Sequence, residues 1–178
     1  MKNEKTPAGK SAGRAAFGGA LIALALAFSW LEAMFPLPIP VPGVKAGLAN
    51  LVTLFALYML PPWMAALIAV VRIVLAGLLF GGPMPMLYSL CGFALSFAVM
   101  LLLKMSGRFG VAAVSVAGGV SHNLGQLVFA AFVMKSAAVV GYLPALLAGG
   151  IAAGALIGAL GALVIGRFKK LWGDGKAV

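Results

Sequence analysis

Acidic side chains are almost missing from this chain, with Glu4, Glu32 and Asp174 the only three among 178 residues. Two of them lie in the terminal tails, so no cluster of carboxylates exists to hold magnesium and a diphosphate, which hard cations demand as oxygen ligands. Histidine is rarer still. His122 stands alone, and without a second nitrogen or sulfur ligand beside it the sequence argues against a zinc or haem site. Cys91 is also single, so there is no disulfide framework, and within its apolar stretch it reads as a small packing residue. Gly9-Lys10-Ser11 imitates the end of a phosphate loop, but Glu4 stands where the first glycine belongs and no strand precedes it. These absences argue against an enzyme, a catalytic residue, a bound metal or a resident cofactor. Any energy source must come from a gradient or from a partner.

What fills the chain instead is hydrocarbon. Hydrophobic residues make up 63% of it and charged ones only 9%, and the mean hydropathy is +1.14. This is the composition of an integral membrane protein. A bilayer core of about 30 Å needs about 20 apolar residues per helix, and the pattern predicts an all-α bundle of six transmembrane helices. They are placed near Ala15 to Met34, Ala46 to Leu60, Trp63 to Phe80, Met84 to Leu103, Val111 to Met134 and Tyr142 to Ile165. The second is short, so its start is expected to dip into the bilayer as part of the preceding loop. Residues 15–166 form one transmembrane domain between a basic tail at 1–14 and another at 167–178, with no room for a soluble domain.

A net charge of +10 invites a nucleic-acid reading, but the basic residues sort by side of the membrane. Lys2, Lys5, Lys10, Arg14, Lys104, Arg108, Arg167, Lys169, Lys170 and Lys176 fall on one side of a six-span arrangement, against Lys45 and Lys135 on the other. The positive-inside rule then puts both termini in the cytoplasm. No aromatic-studded soluble surface accompanies the charge, which argues against nucleic acid as a partner. The first stretch, with Ala25-Leu26-Ala27, superficially resembles a cleavable leader. Its removal would leave five spans and break the charge balance.

Polar residues in the apolar stretches are few and periodic. Ser121-His122-Asn123-Leu124-Gly125-Gln126 interrupts the fifth stretch, and a polar group at bilayer depth is costly enough to need a reason. Ser115, Gly118, His122, Gly125 or Gln126, and Phe129 follow at intervals of three or four and share a helix face. The fourth stretch repeats the pattern with Ser89, Gly92 and Ser96, and the second with Ala46, Asn50 and Thr53. Such stripes are expected to turn inward, since lipid satisfies no hydrogen bonds. For Thr53, Ser89 and Ser96, gluing helices together is the favoured account. Arg72, in the middle of the third stretch, keeps its charge and must find Glu32, helix-end carbonyls, the amides of Asn50, Asn123 or Gln126, or an anionic ligand. His122 and Asn123 suit a pocket and a structural latch equally.

The segment from Phe35 to Lys45 alternates proline with apolar residues, so it favours a stiff extended outer loop. It serves either as a rigid connector or as the cap of a cavity with Lys45 at its mouth. Gly150, Gly154 and Gly158 form a small-residue ridge expected to pack internally, while Ala16 with Ala20 and Gly19 with Ala23 and Ala27 form two offset ladders on the first helix. Two ladders suggest a second surface facing another protein, set against a plain lipid face.

The phrases Pro42-Gly43-Val44-Lys45-Ala46-Gly47-Leu48-Ala49-Asn50, Arg72, Leu87-Tyr88-Ser89, Ser121-His122-Asn123-Leu124-Gly125-Gln126 and Tyr142-Leu143-Pro144 resemble the Gx transporter family, which also carries the name heptaprenyl diphosphate synthase component I. The likeness runs from about Ala16 to Ile165. It implies a fold similar to the substrate-binding S components of energy-coupling factor transporters, in a bacterial cytoplasmic membrane. Those subunits capture small molecules from outside and dock on a transmembrane coupling subunit driven by cytoplasmic ATPases. By this resemblance Lys45, Asn50, Arg72, His122, Asn123 and Gln126 line or support a ligand pocket, and Ala16, Ala20, Ala23 and Ala27 match the docking ladder. Links of the family to quinone systems and flavin-based electron transfer make a vitamin-, isoprenoid- or quinone-like ligand the expectation. An accessory role in polyprenyl diphosphate metabolism or electron transfer is the alternative. The synthase name sits badly with the scarcity of carboxylates.

Overall fold

The computed structural model describes residues 7–35 and 47–172, all helical with short connections and without a strand among the described residues. Six helices follow one another: α1 (Pro7–Met34), α2 (Leu48–Met59), α3 (Pro62–Ala76), α4 (Pro83–Met105), α5 (Val111–Met134) and α6 (Leu143–Trp172). Proline opens α3 and α4, where a missing N–H deprives the helix of nothing. Helix α3 ends in a wider turn, Gly77–Gly81, closed by Gly82 N–H donating to the Gly77 carbonyl at 2.7 Å. Gly82 then takes a φ of 81°, open to glycine, and reverses the chain into α4. A short turn, Ala137–Tyr142, joins α5 to α6.

Among the described residues, five apolar segments are long enough to cross a bilayer, and α2 is the exception. Its 12 residues span about 18 Å, well short of a hydrocarbon core of about 30 Å. The sequence places a sixth span here, and the structure provides only this shorter helix. The packing is a ring in which α2, α3, α4, α5 and α6 each touch the next and α6 returns to α2, while α1 lies against α2 and α3. Helix α2 is therefore packed among its neighbours, and Val52 to Leu57 are buried without interruption, Thr53 among them.

Both ends of α2 need partners, because lipid offers none. At its start the Leu48 N–H donates to Glu32 Oε1 of α1 at 2.7 Å. At its end the Lys104 ammonium of α4 donates to the Leu57 carbonyl at 2.5 Å and lies 5.4 Å from the centre of the Tyr58 ring. A carboxylate at the N-terminus and an ammonium at the C-terminus each oppose the helix dipole. Lys104→Met is expected to lower stability by about 1–2 kcal/mol, seen as a lower melting temperature in detergent. Lys135→Met, on an exposed residue at the end of α5, should melt with the parent.

The α5–α6 seam is made by glycine. A Cβ on Gly158 would lie 2.8 Å from Ala112 Cα, and one on Gly150 would lie 2.9 Å from the Gly119 carbonyl oxygen. The ridge on the last helix thus packs internally, as its spacing indicates. The α4–α5 seam uses Gly125, whose Cβ would meet the Cys91 carbonyl at 2.7 Å, and Gly92, whose Cβ would meet the His122 carbonyl at 2.8 Å. Near the ends of α1 and α6, Phe55 and Phe168 meet edge to face at 5.2 Å, with Phe17 6.2 Å from Phe168.

Candidate functional site

Within the ring lies a partly open cavity of about 180 Å³ to which all six helices contribute. It reaches from Glu32, Gly47, Phe80 and Gly81, where α1 ends and α2 begins, towards Met100 and Ser115 near the opposite end of the bundle. Along α5 the lining is Ser115, Gly118, Gly119, His122, Asn123 and Gln126, about 16 Å of helix rise. The polar stripe read from the spacing is the wall of this cavity. Ser89 and Ser96 of α4 and Asn50 and Thr53 of α2 line it as well.

Arg72 enters the wall from α3. Its Nη1 donates to Ser29 Oγ at 3.3 Å and its Nη2 to Asn50 Oδ1 at 3.4 Å. Both contacts are long for hydrogen bonds from a charged donor, which favours about 2.7–2.9 Å. Its Nε is buried and has no partner. Glu32 lines the same cavity but gives one oxygen to the start of α2. Ser29, in turn, donates to the Ala25 carbonyl at 2.9 Å, which leaves its lone pairs for Arg72.

The six-residue run in α5 divides its work. Ser121 is satisfied within its own helix, donating to the Ala117 carbonyl at 2.6 Å. Asn123 is buried and donates from Nδ2 to the Leu146 carbonyl of α6 at 2.7 Å, so it is a latch between helices as well as part of the wall. His122 lies against Gly92 of α4 and lines the cavity. Gly125 allows the close approach of α4. Gln126 lines the cavity, and its Oε1 is buried with no partner.

Of the residues singled out from sequence, Asn50, Arg72, His122, Asn123 and Gln126 converge on this one cavity. Lys45 and the proline segment from Pro36 to Ala46 lie outside the described residues. Ser96 donates to the Phe93 carbonyl of its own helix at 3.2 Å rather than to a neighbouring helix. Ser29 was not legible as a site residue, since a single serine in an alanine-rich helix carries no spacing signal. Glu32 was a candidate partner for Arg72, whose hydrogen bonds go instead to Ser29 and Asn50, and its role as the cap of α2 was not legible. Phe93, Met86 and Met100 supply apolar wall, and nothing in sequence separates them from ordinary lipid-facing residues.

A family match covers residues 21–164, the region that builds both the ring and the cavity wall. The chain belongs to the heptaprenyl diphosphate synthase component I family. No match was found among curated proteins or among solved structures. Glu32 is the only acidic residue among those described as lining the cavity, and one of its oxygens already caps α2. The polar lining of the cavity is thus one guanidinium, one carboxylate, amides, hydroxyls and an imidazole.

On α1 of this component I protein, Ala16, Ala20, Ala23 and Ala27 are exposed, as is Gly19, where a Cβ would meet nothing within 4 Å. Gly18, Leu21 and Ala25 face the bundle instead. Both small-residue ladders therefore lie on the outward side of the helix, with Leu24, Trp30 and Met34 exposed beside or beyond them.

Proposed function

We propose that this protein is the substrate-capture subunit of an energy-coupling-factor-type importer, taking a small vitamin-, isoprenoid- or quinone-like molecule into the cavity. The observation that carries the reading is the convergence of Asn50, Arg72, His122, Asn123 and Gln126 on one cavity inside an apolar ring. A structural network alone has no need for a buried Arg72 Nε and Gln126 Oε1 left unpartnered. The chain crosses a bacterial cytoplasmic membrane with both termini inside, in six passes of which α2 is a partial one sheltered by its neighbours. It is non-catalytic. The ligand enters at the end of the bundle marked by Glu32 and Gly47, and reorientation follows when a coupling subunit and its ATPases cycle.

Docking on that coupling subunit falls to the exposed ladder Ala16, Ala20, Ala23 and Ala27. Affinity purification from native membranes tests this directly, with a transmembrane coupling protein and two ATPases expected to co-purify. Ala23→Trp should reduce their recovery by about tenfold or more, because bulk at a small-residue contact separates the helices. Its melting temperature should be unchanged, since Ala23 is exposed. Equal recovery with Ala23→Trp would remove the ladder from the docking surface.

The family name favours a second reading, a non-catalytic membrane accessory in polyprenyl diphosphate or quinone metabolism or in flavin-linked electron transfer. In that case the same purification brings down a prenyl synthase or a flavoprotein and no ATPase.

A further inference from the structure

We infer that the cavity is shut at the end opposite Glu32 by a two-part gate on one face of α4, Met100 and Lys104, which opens by side-chain movement without parting the ring. The capture reading gives this gate its purpose, passage of the captured molecule to the far side.

The lining locates the closure. On α4 it runs through Met86, Ser89, Phe93 and Ser96 to Met100, and on α2 through Asn50 and Thr53 to Leu54. About one turn further along each helix stand Lys104 and Leu57, and the lysine ammonium donates to the leucine carbonyl at 2.5 Å. Ser96, Met100 and Lys104 follow at helical spacing and share a face. The face of α4 that walls the cavity therefore also floors it. Met100 is itself buried, in one apolar cluster with Leu57, Ile68 and Val114.

The closure is made of different material from the seams between helices. Where α4 meets α5 at Gly92 and Gly125, the atom nearest a glycine Cβ would be a backbone carbonyl oxygen, of His122 and of Cys91. Gly150 and Gly158 of α6 meet the backbone of α5 in the same way. Such seams open only if whole helices part. Gly118 instead makes a notch for a side chain, with its Cβ position 2.5 Å from Met100 Sδ and 2.7 Å from Met100 Cγ. Methionine has three rotatable bonds and an adaptable thioether, and lysine a flexible four-carbon stem. Both can swing while every backbone stays in place.

The Lys104 bond also joins α4 to α2, which are not neighbours in the ring. It straps the ring from side to side instead of reinforcing a seam. The Lys169 ammonium of α6 repels the ammonium of the strap, which favours its release.

Cysteine accessibility in membrane vesicles tests the gate. The full chain carries Cys91→Ser, which removes the single native thiol, and Ser115→Cys, a reporter in the lining near the floor. The probe is a membrane-impermeant methanethiosulfonate, applied to inside-out vesicles, which present the Lys104 end under the proposed topology, and to right-side-out vesicles, which present the Glu32 end. With the gate intact, labelling from the Lys104 end should be slow. Lys104→Met and Met100→Ala should each speed it by about tenfold or more, while labelling from the Glu32 end changes less than about twofold. Leu146→Ala is the matched control, a comparable truncation of a buried side chain near the start of α6. It should label from the Lys104 end at the parent rate, which separates gate opening from general loosening. Met100→Ala leaves Lys104 in place, so a misfolded Lys104 variant does not remove the test. Fast labelling of the parent from the Lys104 end, parent-rate labelling of either folded gate variant, or equal acceleration by Leu146→Ala each overturns the gate. Those results leave capture itself standing, because co-purification of a coupling subunit and ATPases decides it separately.

Discussion

Gly154→Val is expected to yield no monodisperse folded protein. A Cβ at this position would lie 2.7 Å from Val116 Cα and 2.9 Å from the Ser115 carbonyl oxygen, and both are backbone atoms of α5 that cannot swing aside. Overpacking usually costs about 1–3 kcal/mol where side chains can yield. Here two helices must separate along a seam held by close backbone contact, in a solvent that supplies no hydrophobic force to bring them back. The loss should exceed about 4 kcal/mol, a large part of the stability of a single domain. Gly166→Ala is the matched control, since nothing lies within 4 Å of its Cβ position and alanine favours a helix by up to about 1 kcal/mol. Size-exclusion profiles and melting curves in detergent decide the matter. A folded Gly154→Val protein melting near the parent would show that α5 and α6 are not held as described.

Glu32→Ala should produce the second largest loss, about 1.5–2 kcal/mol, the lower part of the range for a charged hydrogen bond because donor and acceptor are only part-buried. Gly47, the residue before α2, has a φ of 79° and no side chain with which to cap the helix. The cap comes instead from α1, where Glu32 Oε1 accepts the Leu48 N–H. Losing it orphans that donor at the head of a helix whose middle, Val52 to Leu57, is buried. Glu32→Gln keeps an acceptor but not the charge that opposes the dipole, so about half the loss is expected. Hydrogen exchange at Leu48 reads the bond directly, with protection in the parent and in Glu32→Gln and none in Glu32→Ala. Identical melting of all three proteins would mean that the cap contributes nothing.

The legible part of this architecture was the part with a period. Ser115, Gly118, His122 and Gln126 recur at helical spacing, and lipid cannot satisfy polar groups, so their inward turn followed from sequence and the cavity wall contains all four. The glycine ridge at 150, 154 and 158 followed for the same reason. Arg72 was legible as a residue in need of partners, and Asn50 stood among the candidates and accepts from it, whereas Ser29 did not. Ser29, 43 residues away in the chain, donates no periodic signal, and its bond to Arg72 exists only because α1 lies against α3. Asn123 was open between pocket and latch, and its bond to the Leu146 carbonyl makes it a latch that also lines the cavity.

Composition and hydrophobic run length, by themselves, pointed to an all-helical membrane protein, because a chain of mean hydropathy +1.14 with apolar runs of about 20 residues, rather than short alternating strands, satisfies its backbone in lipid by bonding within each helix. They also argued against clustered-carboxylate chemistry, since residues that are absent cannot converge. Tertiary structure alone decided that α2 stops at 12 residues and survives by borrowing Glu32 and Lys104 from two other helices. It alone showed that Arg72 Nε and Gln126 Oε1 are buried without a partner. Periodicity reports which face of a helix turns inward, whereas the meeting of groups distant in sequence depends on the order of helices around the ring.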